Sequence, residues 1–357
     1  MRSRPSGKIS EKLEVDAVRD QWSCDDIKLR RRLLLRLAIL AVALVASTAL
    51  VEFALEVRDY ARFSRGQQFV AVGNARVRYE LRGVGSQGAT AVFLSGLGGC
   101  VEQTEPLRRA LSDEIPSLAY DRADYCLSRS SSAHSAMEQA DELAGLLREL
   151  KLEKPVLIVS YSSSAELARV FVGRYPEKVA ALYLIDPWMP ELGVALPKRF
   201  APLRYYGLSS IQNFLQSVVG YYRLSHGLRN PNQQSLVDQR MEAVVVGRPH
   251  NWALLAEWFQ RDVTARQALT SPVPPDLPIE IAFTKQRYPD KEADDAVRKE
   301  YSDLAARSSR GRLFEFEHVN HERLMQPSPM FDPMVERIKQ LSKEYAPQVT
   351  LLHAGGS

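Results

Sequence analysis

A chain of 357 residues, 45% of them apolar and 25% charged, has enough hydrophobic side chain to bury a sizeable core, which excludes a disordered or collagen-like polymer. The 47 Lys and Arg against 43 Asp and Glu leave a formal charge of +4, too small and too evenly spread for a nucleic-acid-binding surface. Three cysteines, Cys24, Cys100 and Cys126, are too few for a disulfide scaffold and lack zinc-ligand spacing, so neither a metal nor another cofactor is expected.

Residues 1–32 are polar and mixed in charge, and read as a cytosolic tail without a motif. From Leu37 to Phe53 the only charged residue is Glu52, and Leu33, Leu34 and Leu35 extend the apolar run across Arg36. A buried helix of a soluble protein would show a polar face every third or fourth position, so residues 33–55 are expected to form one transmembrane anchor. A cleaved signal peptide is the alternative, since Ser47-Thr48-Ala49 offers small residues, but the charged leader before it is unusually long. Lys28, Arg30, Arg31, Arg32 and Arg36 crowd the amino-terminal flank, while the other flank mixes Glu52, Glu56 and Asp59 with Arg58, Arg62 and Arg65. The positive-inside bias then keeps the tail cytosolic and puts the rest of the chain on the extracytoplasmic side.

Beyond Arg65, Phe69 to Val72 and Val77 to Leu81, separated by Gly73-Asn74, read as a hairpin. Ala91 to Leu94 and Leu118 to Tyr120 are short buried strands. Ala140, Leu143, Ala144, Leu147 and Leu150 recur at helical spacing, and Pro155 opens the strand Val156-Leu157-Ile158-Val159. A helix through Leu167, Val170 and Phe171 leads to the strand Ala181 to Ile185. Continuous aliphatic runs of this kind suit strands covered on both faces, and their alternation with helices predicts a doubly wound α/β fold with a mostly parallel central sheet. The rhythm breaks over about 190–277, where helical stretches rich in aromatics predict a helical cap insertion. The sheet resumes at Ile279 to Phe283 and Leu313 to Phe316, and a last amphipathic helix uses Met334, Val335, Ile338 and Leu341. The main domain is thus expected over 66–345, with a C-terminal tail at 346–357.

The sharpest constellation is Ser160-Tyr161-Ser162-Ser163-Ser164, a strand running directly into a helix. It resembles the nucleophile elbow of the α/β-hydrolase family, Gly-x-Ser-x-Gly, with Ser162 in the nucleophile position and both glycines replaced by serine. Those positions must be small because strand and helix approach closely there, and serine adds only a hydroxymethyl group. Ser95-Gly96-Leu97-Gly98-Gly99 looks like the family's His-Gly-x-Gly-Gly oxyanion loop, with serine for histidine. Tyr120-Asp121-Arg122 resembles its Asp-Arg-Pro-Gly segment, and Arg174-Tyr175-Pro176-Glu177-Lys178-Val179 its Tyr-Pro-Glu-x-Val helix end.

The resemblance implies a serine hydrolase with a helical cap. Its oxyanion hole would come from the backbone N–H groups of Leu97 and Ser163. A serine hydroxyl needs a base, and His318 and His321 both follow the last strand; His321 is preferred because Gln326-Pro327 resembles the family's ending. The acid is open between Asp186, directly after the strand ending at Ile185, and Asp290, after the next strand, the more usual location. A serine nucleophile argues against the family's epoxide hydrolases and haloalkane dehalogenases, which attack with aspartate. The expected substrate is an ester, thioester or small amide with an apolar part. The alternatives are a proline iminopeptidase-like enzyme, for which Glu242, Glu257 and Asp262 are the acidic candidates, and a catalytically silent binding module. In the family's strand order the strands preceding Cys100 and Cys126 are neighbours, so a disulfide between the two is reachable in an oxidising compartment, against two free thiols as the alternative.

Overall fold

The computed structural model describes residues 24–111, 114–130, 134–192, 203–226, 236–285, 287–288, 290–317, 319–327 and 331–346. The strands are β1 (Gln68–Val72), β2 (Ala75–Arg82), β3 (Ala91–Leu94), β4 (Ser117–Tyr120), β5 (Val156–Tyr161), β6 (Val179–Ile185), β7 (Ile279–Thr284) and β8 (Gly311–Phe316). They make one sheet in the order β1-β2-β4-β3-β5-β6-β7-β8. β2 runs antiparallel to both β1 and β4, and every pairing from β4 onward is parallel.

Alternation along the strands explains why their sequences read as unbroken aliphatic runs. Val92, Ile158, Leu182 and Ile281 face one layer, formed by α3 (Ala136–Glu149), α4 (Ser164–Arg174) and α9 (Lys291–Ala306). Phe93, Val159, Tyr183 and Ala282 face the other, formed by α2 (Glu105–Leu111) and α10 (Phe331–Glu344). Both faces of each central strand therefore leave water. The chain passes from β3 outward to β4 and then returns to β5 on the other side of β3. The carboxyl ends of β3 and β5 thus flank a switch in winding direction, where such sheets bind ligands.

Between β6 and β7 the described residues include the helices α5 (Leu203–Val218), α6 (Tyr221–His226), α7 (Leu236–Val245) and α8 (Arg248–Thr270), which form the expected cap insertion. The expected anchor segment, 33–55, lies inside a longer amino-terminal helix. α1 runs from Cys24 to Phe63, long and apolar enough to cross a bilayer, and so extends eight residues past position 55. The chain divides into one unit up to Thr48 and a second from Ala49 to the end. The second begins inside the helix because Glu52, Glu56 and Asp59, at i, i+4 and i+7, share a helix face and bind cap arginines. Arg223 on α6 donates to Glu52 Oε2 (2.8 Å) and Asp59 Oδ2 (2.7 Å), while Arg248 at the start of α8 donates to Glu56 through its N–H (2.5 Å) and guanidinium (3.2 Å). Residues 1–23, most of the expected tail, and 347–357 lie outside the described residues.

Cys100 and Cys126 are joined in a disulfide, with Cα atoms 5.9 Å apart, and both are buried. Cys126 occupies the left-handed region at φ 52°, which turns its side chain toward the loop after β3. Closing a sequence separation of 26 residues restricts the unfolded chain by about 3–4 kcal/mol. Reduction is therefore expected to lower the stability of the folded protein by about that amount. Chemical denaturation with and without dithiothreitol measures it, and coincident curves would show that the bridge does not constrain the unfolded chain.

Candidate active site

β5 delivers the chain into a strained turn. Ser162 has φ 58°, a left-handed conformation that a non-glycine residue adopts only when its surroundings over-determine it. Here they do: Ser162 N–H donates to Ile185 O (3.0 Å), and Ser162 O accepts from the N–H groups of Trp188 (2.9 Å) and Ala165 (3.2 Å). The serines in place of the family's glycines lie beneath the turn, both buried. Ser164 Oγ accepts the Tyr161 N–H (3.1 Å) and lies 2.9 Å from Ser160 Oγ and from the carbonyl oxygens of Leu94 and Tyr161. The extra hydroxyls are thus satisfied and tie β5, the first turn of α4 and the end of β3 together.

The loop after β3 closes over Ser162. A Cβ on Gly96 would stand 3.2 Å from Ser162 Cβ, tighter than ordinary contact, so the missing side chain is what lets the loop approach. Gly96 N–H donates to Gln103 Oε1 (2.8 Å), and Arg122 Nη2 donates to Gly96 O (3.0 Å). Among the described residues, neither the Leu97 N–H nor the Ser163 N–H donates to a backbone acceptor.

His321 opens a short 3-10 turn capped by Asn320, whose side chain accepts the Arg323 N–H. Its Nε2 lies 3.0 Å from Ser162 Oγ and its Nδ1 2.5 Å from Asp186 Oδ2. The ring stacks on Tyr161, centroids 4.9 Å apart, and Tyr161 OH donates to His321 O (3.0 Å). Asp186 is fully buried at the end of β6. Its Oδ1 lies 3.4 Å from each of Thr284 N–H, Tyr301 OH and Arg287 Nη1. Burial opposes the Arg287 charge, but Tyr301 and Asp186 outweigh it and hold its pKa above the ordinary value.

Residues 92–219 match a family model described as the alpha/beta hydrolase fold. The solved structure of Cfl2 from Burkholderia cenocepacia aligns with a TM-score of 0.61 at 19% identity, over 76% of this chain and 95% of that one. A putative epoxide hydrolase from Pseudomonas aeruginosa aligns with a TM-score of 0.59 at 14% identity, over 79% and 97%. The chain has the α/β-hydrolase fold. Its similarity to the uncharacterized protein YqjL of Bacillus subtilis (strain 168) is 34% over 104 residues, 29% of this chain and 41% of that protein's length.

Ser162, His321 and Asp186 converge at the sheet edge where α/β-hydrolase sites lie, flanked by Leu97 and Ser163. Asp290 does not join them: its carboxylate caps α9, accepting the Glu292 N–H at 3.0 Å, whereas His321 Nδ1 is bonded to Asp186. A polar loop ahead of a helix start gives an aspartate a cap to fill, and Asp290 fills it. His318 lies outside the described residues. Arg287 and Tyr301, which surround Asp186, carry no sequence signal, because Arg287 reads as one more charge in the run from Lys285 to Asp295. A second polar cluster lies under the cap: Arg122 donates to Gln139 (2.8 Å) and Glu257 (3.1 Å), and Tyr125 OH donates to Glu257 (2.5 Å). Burial, and then the nearby Glu257 charge, push Glu166 on α4 up to about 8, so its carboxyl is largely neutral at pH 7.

If Asp186 orients the base, Asp186→Asn is expected to lower kcat for a small ester by orders of magnitude with little change in KM, whereas Asp290→Asn stays near wild type. Steady-state kinetics of the two variants decide it, and losses under about tenfold in both, roughly 1.4 kcal/mol, would remove Asp186 from the role. Glu166 generates a pH prediction. Its folded pKa of about 8 lies above the unfolded value of 4.5, so the stability it contributes is complete below pH 4.5 and is lost as pH rises through about 8. Glu166→Gln is therefore expected to flatten the decline in melting temperature between pH 5 and 9, as read by thermal melts across that range.

Proposed function

We propose that the chain is a membrane-anchored serine hydrolase that cleaves an ester, thioester or small amide with an apolar part through an acyl-Ser162 intermediate. The observation that carries this reading is the unbroken hydrogen-bonded series from Ser162 Oγ through His321 to the buried Asp186 carboxylate. Nε2 of His321 takes the Ser162 proton as Oγ attacks the substrate carbonyl carbon, and Asp186 stabilises the resulting imidazolium through Nδ1–H. The N–H groups of Leu97 and Ser163 receive the oxyanion, a contribution of about 3–4 kcal/mol per donor in sites of this type. The imidazolium then protonates the leaving group. Water, deprotonated by the same nitrogen, attacks the acyl-serine and releases the acid and free Ser162.

Several observations weigh against the alternatives. The attacking position holds serine, where epoxide hydrolases of this fold carry aspartate. An aminopeptidase needs an acidic anchor for the substrate amine, but Glu257 is already held by Arg122 and Tyr125, and Asp262 is exposed beside Arg261. A silent module would have no need of a histidine within 3.0 Å of a strained serine. The arginine-rich leader favours an extracytoplasmic hydrolase domain, and the Cys100–Cys126 disulfide suits an oxidising compartment.

A fluorophosphonate probe tests the nucleophile. Labelling of the full chain in membranes is expected to vanish in Ser162→Ala and to persist in Ser160→Ala. Labelling that survives Ser162→Ala would refute the assignment, and a folded wild type inert to the probe and to short-chain esters would favour a silent module.

A further inference from the structure

The cap arginines do more than bury charge. Within the second unit, α1 still carries apolar side chains that the described residues leave largely exposed: Leu50 is 70% exposed, and Val51 and Phe53 are also exposed. In the same turns, Glu52 is only 2% exposed because Arg223 donates to both of its carboxylate oxygens. The junction of α5 and α6 reaches the same level. A Cβ on Gly220, at φ 75°, would lie 3.2 Å from Glu52 Oε2. Arg248 adds a second tie, its guanidinium lying over the Phe53 ring at 5.5 Å while it binds Glu56.

These bonds fix the depth of the cap relative to the end of the anchor. Tyr221 follows Gly220, Leu224 follows Arg223, and Leu215 lies five residues before Gly220, about 8 Å along a helix. All three are exposed, Leu224 at 64%. If residues 33–55 span a bilayer, their length of about 35 Å exceeds a hydrocarbon core of about 30 Å, which puts Glu52 near its boundary. A carboxylate there is costly unless paired, and the Arg223 guanidinium on α6 pairs it. Whatever apolar medium surrounds Leu50 and Phe53 therefore also meets Tyr221 and Leu224.

We infer that the cap is an interfacial element: clamped to the end of the anchor by Arg223 and Arg248, it seats Leu215, Tyr221 and Leu224 in the headgroup–acyl boundary of the bilayer that α1 enters. This rests on the anchor reading. Tyrosine with aliphatic residues on short helices is the composition that binds at this depth. α8 runs from the Arg248 tie to the site, since Leu254 packs against Gly98 of the loop over Ser162 and Glu257 binds Arg122. The seated cap thus holds the reactive serine near the membrane surface, within reach of an amphiphilic ester.

Nitroxide labels on the full chain test this. In a Cys24→Ser background that keeps the disulfide, Leu50→Cys, Leu224→Cys and Lys299→Cys are labelled separately in phosphatidylcholine vesicles. Collision with oxygen is compared with collision with a water-soluble nickel chelate. Labels at Leu50 and Leu224 are expected to favour oxygen, and the label at Lys299 on α9 to favour nickel. Adding Arg223→Gln is expected to abolish the oxygen preference at Leu224 and leave Leu50 unchanged. A deep Leu50 with an aqueous Leu224 overturns the docked cap while the anchor stands, and a Leu224 label shielded from both reagents overturns it in favour of protein coverage, such as a second copy. An aqueous Leu50 would bring down the anchor reading itself. A Leu224 depth unaffected by Arg223→Gln would overturn the clamp.

Discussion

The buried Asp186 carboxylate constrains everything assembled around it. A charge fully removed from water is expensive unless its oxygens are met by donors from the protein. Asp186 draws these from separate parts of the chain: His321 after β8, Thr284 at the end of β7, Arg287 in the loop that follows and Tyr301 on α9. Arg287 also donates to the carbonyl oxygens of Asp186 and Pro187, which holds the left-handed turn at φ 43° in place. The network that satisfies one carboxylate thereby fixes the carboxyl ends of β6, β7 and β8 relative to one another. His321 has little freedom left, since Asp186 holds one ring nitrogen, Tyr161 covers one ring face, and the remaining nitrogen points to Ser162.

The serines of the elbow follow the same logic at smaller scale. Glycine avoids steric conflict where β5 and α4 cross, but it leaves backbone groups of the turn without a side-chain partner. Ser164 accepts from Tyr161 N–H and reaches back to Leu94 at the end of β3, while Ser160 fills the remaining space beside it. Two buried hydroxyls bonded to each other impose no unsatisfied polar group, so the substitution adds a cross-strand tie at little desolvation penalty.

Much of the fold was legible because sheet strands buried on both faces must be aliphatic throughout, and Val156 to Val159 and Ala181 to Ile185 could hardly be anything else. Ser162 and His321 were legible from short-range patterns, a strand running into a helix and a loop after the last strand. The choice between Asp186 and Asp290 was not, because both follow strands and chain order carries no distance. What separates them is a turn at φ 43° that aims one inward and a helix start that occupies the other. The extension of α1 was half-legible. Glu52, Glu56 and Asp59 have the spacing of one helix face, yet they read as flanking charges because their partners, Arg223 and Arg248, lie more than 160 positions away on the cap.

The cap, the loop after β3 and the disulfide meet at a single joint. His250 on α8 is buried against Cys126, with its Nδ1 3.4 Å from the Cys126 N–H, and its ring meets Tyr125 edge-on. Burial, with Arg129 and Arg122 nearby, pushes its pKa down to about 4, so it packs there as a neutral ring. One turn further on, Leu254 faces Gly98, and Glu257 binds Arg122, which in turn holds Gly96 O. The disulfide closes the same circuit, since Val101 and Leu127, each next to a bridged cysteine, donate their N–H groups to Asp121. α8 thus contacts the loop on both sides of Leu97, directly at Gly98 and through Arg122 at Gly96. Because the same helix begins at Arg248, bound to Glu56 on α1, the geometry that would receive the oxyanion is continuous through packed and charged contacts with the carboxyl-terminal part of α1.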